Sequence, residues 1–486
     1  QFAKDQELKD KLLGSYESLI KKISDSNGTV ILNLYGMPLN LGKVKDKKCA
    51  PQNLKVFKEL VKGHIRDFSC LKKYNIWYEV WNAPDLDDFF LGTKQEYLNM
   101  YRAVSEAVKE LEAEYKINIP LGGPSSSWWF QSMDFNNILN PENSLVYDLI
   151  RFCYRYKLPL DFISWHSYST DPKAGQDATI YNKTAPVFIR EWLSYFKFNK
   201  NTPLIIDEWN FDNGENVSSA RGQSSNIAAS YIPARLKNMN QSGIDYQLFF
   251  SLEDFYSKKE GVVRNLGIFS FDPFSGEYKG SAKNIFQIFQ MLSKLGNQLF
   301  VSSAAISNEF CGFIATKSED GSLALLIYNY IDPEIFNSYI SRNISVLSAA
   351  EQKQLLNLIR TKKINQLEKE ELQINGLRVS GKLKNILKSA LELKKRGEIL
   401  KTNPRQVKLK IKNLKDNNFY QNYTVDSSCV LDCDFSPEEE REIVSSEPFE
   451  QVITLNPYSV QLIIFKKKPL QAQVNPAEEP VAVPLT

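Results

Sequence analysis

Between Thr29 and Leu299 short apolar runs alternate with longer amphipathic stretches, and this alternation limits the fold more than any other feature of the chain. Strand-length apolar runs separated by helix-length patterns read as strand–helix repeats, which build a parallel sheet. The runs fall at Thr29 to Tyr35, Ile76 to Trp81, Ile119 to Gly122, Asp161 to His166, Pro203 to Trp209 and Asp245 to Ser251. Helical patterns accompany them near Asn53 to Lys73, Lys94 to Tyr115, Leu145 to Tyr156, Thr184 to Phe196, Ser219 to Ser242 and Ser281 to Leu295. Six repeats predict either an open doubly wound sheet or an α/β (β/α)8 TIM barrel whose first two strands precede residue 1. The barrel is preferred, because no glycine-rich dinucleotide or phosphate loop follows any strand.

After Leu299 the pattern changes to strand-like runs such as Leu323 to Tyr330, Val407 to Leu414 and Val460 to Phe465, which predict an antiparallel β-sandwich. The expected domains are a catalytic barrel over 1–299 and a sandwich over 300–468, with a flexible Pro/Ala/Val/Glu-rich tail over 469–486. A Leu/Lys/Glu-rich helical insert at about 348–401 interrupts the sandwich. It reads most simply as a solvated hairpin covering that domain, with a dedicated binding role as the alternative.

A chain of 486 residues has room for two or three domains and a buried cleft. Sixty basic against 57 acidic residues give no overall electrostatic footprint for nucleic acid or an anionic membrane, and favour a neutral or weakly charged substrate. No window approaches the roughly 20 apolar residues that span a bilayer. Of six cysteines only Cys429 and Cys433 lie close enough in sequence to suggest a local pair. The two histidines, His64 and His166, are far apart, and no Cys/His spacing predicts a metal site. No cofactor is expected.

In a parallel αβ barrel the functional groups gather at the C-terminal ends of the strands. Those ends here are polar and aromatic: Trp81-Asn82-Ala83-Pro84-Asp85, Ser164-Trp165-His166-Ser167-Tyr168, Ile206-Asp207-Glu208-Trp209-Asn210 and Ser251-Leu252-Glu253-Asp254. A carboxylate emerging from a buried strand is costly unless paired or used, which makes Glu208 the leading nucleophile candidate; a structural Asp207/Glu208 pair is the alternative.

The first three of these blocks, with Phe89-Phe90, Gly92-Thr93, Glu96-Tyr97 and Gly122-Gly123-Pro124, resemble glycoside hydrolase family 39. That family holds β-xylosidases and α-L-iduronidases, within a clan of retaining barrel glycosidases that place Asn-Glu-Pro at the end of strand four. The resemblance implies that Glu208 attacks the anomeric carbon and that Asn82 binds the sugar 2-hydroxyl. It places His166 and Tyr168 beside the nucleophile. Trp128, Trp129 and Trp209 are candidate sugar-stacking walls, loop packing being the alternative for the first two. Asp254 either binds a hydroxyl or holds a loop. Carbohydrate is the expected partner, and a polymeric glycan substrate implies export, although no signal sequence does.

One position departs from the family pattern. Retaining enzymes use two carboxyl groups about 5 to 5.5 Å apart, and Ala83 stands where the acid/base glutamate belongs. Either a glutamate was replaced in an otherwise fitted motif, or the chain is a natural carbohydrate-binding pseudoenzyme or borrows its acid from elsewhere. Glu79 is a poor substitute, since it lies within the strand, below the cleft.

Overall fold

The computed structural model describes residues 14, 16–131, 143–173, 177–178, 183–212, 226–257, 262–270, 280–300, 309–412, 414, 418–428, 430–444 and 448–467. Of these, the residues within 1–223, 234–280 and 332–398 form one unit, and those within 224–233, 281–331 and 399–486 a second.

The first unit is built on a parallel sheet of six strands in sequence order. They are Val30–Asn33 (β1), Ile76–Glu79 (β2), Leu121–Ser126 (β3), Phe162–Tyr168 (β4), Leu204–Asn210 (β5) and Tyr246–Phe249 (β6). The register runs Val30 to Ile76, Tyr78 to Leu121, Gly122 to Phe162, Ile163 to Leu204 and Ile205 to Tyr246. Between strands come Leu54–Ile65 (α1), Lys94–Tyr115 (α2), Leu145–Tyr156 (α3), Ala185–Tyr195 (α4) and Asn226–Ser242 (α5). Their starts are encoded locally: Asn53 and Ser144 cap α1 and α3, and Thr93 with Glu96 forms a capping box on α2. α2 buries Tyr97, Tyr101, Val104, Val108 and Leu111, a stripe at helical spacing. At Gly122 a methyl group would lie 2.5 Å from both the ring and the carbonyl of Phe162, so only glycine lets β3 approach β4 here. The outermost strands differ from the buried middle: β1 is half-buried throughout, and Tyr246 and Leu248 of β6 are exposed.

The second unit holds an antiparallel sheet in the order β7-β8-β9-β14-β11-β12. Its strands are Gln298–Leu299 (β7), Gly312–Lys317 (β8), Leu323–Tyr328 (β9), Phe419–Val425 (β11), Glu439–Glu442 (β12) and Val460–Lys466 (β14). Arg405–Ile411 (β10) and Phe449–Leu455 (β13) pair as a second antiparallel layer. Val407, Leu409 and Ile453 from that layer share one core with Ile327, Tyr420, Ile463 and Phe465, which makes the pair a sandwich. Helix Asn284–Ser293 (α6) belongs with this unit, where Gln287 donates to the Asp434 carbonyl at 2.9 Å. By contact the boundary therefore falls near 280, where the sequence places it at 299.

The insert is longer than its sequence signature: Ile335–Arg342 (α7) precedes Ala349–Arg360 (α8), Lys363–Glu368 (α9) and Gly381–Leu400 (α10). Residues 332–398 group by contact with the parallel-sheet unit. The insert carries a core of its own, with Phe336, Leu355, Leu367, Leu383 and Leu387 buried together. That independent core explains why its apolar pattern does not reveal where it docks.

Among the described residues no helix is long and apolar enough to cross a membrane. Cys49, Cys70, Cys153 and Cys311 are free thiols and Cys433 is disulfide-bonded; Cys429 and the expected tail over 469–486 lie outside the described residues.

Candidate functional site

The ends of β4 and β5 pair His166 with Glu208 across a register shift between Trp165 and His166. Such a bulge breaks the alternation of side chains, so two successive carboxyl groups can face one neighbour. Both approach His166: Nδ1 lies 3.4 Å from Glu208 Oε2, and Nε2 lies 3.8 Å from Asp207 Oδ2. Tyr168 Oη donates to Glu208 Oε2 at 2.7 Å, a charge-assisted bond that orients the carboxylate. Burial and the charge of Glu208 hold the Tyr168 phenol well above its ordinary pKa, so it stays a donor at neutral pH.

The ends of β2 and β3 complete the chain of contacts. Ser125 Oγ donates to Asn82 Oδ1 at 3.2 Å and lies 3.2 Å from His166 Nε2. Asn82, Ser125, His166, Glu208 and Tyr168 thus form one connected polar row. Ala83 N donates to the Ser125 carbonyl at 2.8 Å, and Ser127 N to Asp85 Oδ1 at 2.9 Å, so the two strand ends are zipped together. Trp81, Ala83 and Ser125 have positive φ, at 68°, 41° and 53°. Non-glycine residues in this region cost free energy, and they concentrate where function fixes the backbone.

Below the row sits a buried acidic pair. Glu79 is 3 % exposed and accepts from Asn33 Nδ2 at 2.9 Å and from Ser164 Oγ. Burial, with the nearby Asp207 adding, raises its pKa well above the ordinary carboxylate value. Its placement inside the sheet agrees with its being a poor replacement for an acid at position 83. Burial likewise pushes Asp207 up to about 7, with Ser125 offsetting part of the shift. Among the described residues neither oxygen of Asp207 meets a donor in good hydrogen-bonding geometry.

Two candidate walls are corrected by the structure. Trp129 and Trp209 are both 0 % exposed, which leaves no ring face for a sugar. Trp129 stacks on Phe188 at 5.7 Å and packs beside Trp192, while Trp209 meets Phe249 edge-on at 5.0 Å and donates to Gln247. Trp128 is only half-buried and retains open ring surface. Asp254 is buried and accepts from Gly267 N at 2.8 Å, which ties the loop after β6. Ser125 and Asp207 join the site without having been candidates, while the buried Arg235 donates to Ser167 Oγ and ties α5 to β4. Ser125 carried no strand signal, since Gly122-Gly123-Pro124 followed by three serines reads as a turn.

A family model described as "Glycosyl hydrolases family 39" matches residues 39–356. The β-xylosidase of Geobacillus stearothermophilus is 24% identical over 305 residues, 58% of this chain and 53% of that protein. The β-xylosidase of Caldicellulosiruptor saccharolyticus is 28% identical over 131 residues, 27% of this chain and 23% of that protein. The chain therefore spans about half or less of these curated relatives. In structure it is similar to a glucosidase from Croceicoccus marinus, with a TM-score of 0.60, 16% identity and coverage of 93% of this chain and 81% of that one. A monomeric β-xylosidase from Caulobacter crescentus gives 0.55 and 14%, with 90% and 80% covered. At these identities the structural likeness speaks for the fold.

Proposed function

From the premise that the chain belongs to glycosyl hydrolases family 39, we propose a glycoside hydrolase site of the retaining kind, with Glu208 as nucleophile and Ala83 at the acid/base position. The observation that carries this reading is the Tyr168–Glu208–His166 contact at the paired ends of β4 and β5, which holds one carboxylate at a strand mouth. Glu208 forms a bond to the anomeric carbon as the glycosidic C–O bond breaks; water then releases the sugar, so two inversions retain configuration. Asn82, joined to the same row through Ser125, is placed to bind the sugar 2-hydroxyl, and Trp128 is the remaining stacking surface. The names of the curated relatives point to a β-xyloside-like substrate. Among the described residues β1 and β6 each pair on one side only and are partly exposed, which supports a sheet that curls towards barrel closure.

Without a carboxyl group at 83 the leaving oxygen must depart unprotonated, which activated aryl groups tolerate and sugar alcohols do not. Ala83→Glu should raise hydrolysis of unactivated glycosides by about 10² to 10⁴-fold. Azide given to the Ala83 form with an aryl glycoside should yield a glycosyl azide of retained configuration, and an inverted product refutes Glu208. The absence of a carboxyl group at position 83 favours one other reading, a carbohydrate-binding pseudoenzyme. No gain from Ala83→Glu across a broad panel of unactivated glycosides would support it.

A further inference from the structure

The near-neutral chain conceals a segregated charge. Residues 348–401 hold 13 Lys and Arg against six Asp and Glu, a net +7 where the whole chain has +3, so the remainder is acidic by four. The same segment contains no Phe, Tyr or Trp. Its positive side chains line two clefts that share the strap over 372–379 as a wall. One, of about 520 Å³, runs along α10 beneath Lys384, Lys388 and Lys395; the other, of about 380 Å³, is lined by Lys363, Arg378 and the amides of Gln354 and Asn357. Ligand pockets for small molecules or single sugar units have volumes of this order.

The pairing of these cations separates structural charges from unused ones. Lys395 is matched by Glu370 at 3.2 Å, and Lys388 lies 3.9 Å from Glu392. Lys363, Arg378 and the half-buried Lys384 make no side-chain hydrogen bond or ion pair among the described residues. Lys363 and Arg378 are exposed and Lys384 half-buried, so an incoming anion meets three cations without competing for an existing local counter-charge. Guanidinium, ammonium and amide groups together suit a carboxylate flanked by hydroxyls. The lack of aromatic faces argues against stacked nucleobases, and equally against a neutral glycan held by stacking.

We propose that the helical insert is a second carbohydrate site, for a glycan bearing carboxylate sugars, bound across the clefts on either side of the strap. The preference for an anion rests on the insert alone; the choice of a sugar acid rests on the glycosidase reading of the strand-end site. The insert then holds the enzyme on acidic polysaccharide, independently of catalysis.

The test compares retention on polygalacturonate with retention on the same polymer fully methyl-esterified, which keeps the sugars and removes the charge. The full chain should bind the free acid, not the ester, with affinity that falls as salt rises. Lys384→Glu with Lys388→Glu, and separately Lys363→Glu with Arg378→Glu, should each weaken binding roughly tenfold or more, the loss of at least one charge-assisted hydrogen bond. The Gln versions of the same pairs guard against misfolding and should weaken binding in the same direction, with melting curves unchanged. Equal retention on both polymers, no retention, undiminished binding by every variant, or equally tight binding of oligodeoxythymidine each overturns the proposal. None of these readings depends on hydrolysis, so failure at Glu208 is recognised separately by the azide experiment.

Discussion

Replacing Asp207 by Asn should remove a pH dependence of stability that the buried carboxyl imposes on the fold. Asp207 is 8 % exposed, and burial, with the charge of Glu208 adding, pushes its pKa from 3.8 to about 7. Between those values the folded chain keeps a proton that the unfolded chain has released. More protons bound in the folded state means that unfolding free energy falls as pH rises. The stability is fully present below the unfolded value and is lost as pH climbs through the folded one. At about 1.36 kcal/mol per unit, some three units amount to roughly 4 kcal/mol, an upper figure for a group in contact with other acids. Glu79 is raised partly by Asp207, so relieving it works in the same direction. Guanidinium unfolding followed by tryptophan fluorescence from pH 4 to 8 measures the difference between the two proteins. They should differ least at pH 4, and the Asn variant should gain steadily to pH 7 before the difference levels off. An offset added to that slope reflects the amide's own hydrogen bonds, whereas a difference with no slope across the window refutes the reasoning.

Tyr168→Phe removes the 2.7 Å donor to Glu208. A hydrogen bond to a charged group contributes about 1.5–3 kcal/mol, so in the Ala83→Glu background kcat/KM for aryl glycosides should drop about ten- to hundredfold. An unchanged value means that the phenol does not orient the nucleophile. Gly122→Ala puts a methyl 2.5 Å from Phe162 and should lower stability by about 1–3 kcal/mol, read as a fall in the thermal midpoint.

The six strand–helix repeats were legible because each strand is a short apolar run bounded by polar residues, and the observed strands fall within or beside those runs. Glu208 stood out for the same reason, a charge at the end of a buried run. Two things were harder to read. Trp209 follows Glu208 directly, and strand alternation alone argues for the face opposite Glu208; the sugar-stacking expectation ignored that geometry, and the ring is buried. Asp207 obeys the reverse logic: the bulge opposite Trp165 and His166 brings it towards the imidazole despite its neighbour already facing there. No single-chain pattern announces a register shift. The insert was recognised as helical, yet its grouping with the parallel-sheet unit depends on tertiary contacts that composition does not encode.

The turn carrying Ala83 is fixed by its main chain, through the N–H held by the Ser125 carbonyl and the left-handed φ, and not by the side chain it bears. A glutamate and an alanine therefore meet the same backbone requirement there. On the proposed assignment, the course of the main chain at this turn is set independently of whether a carboxyl group is present, so the turn can outlast the loss of its acid.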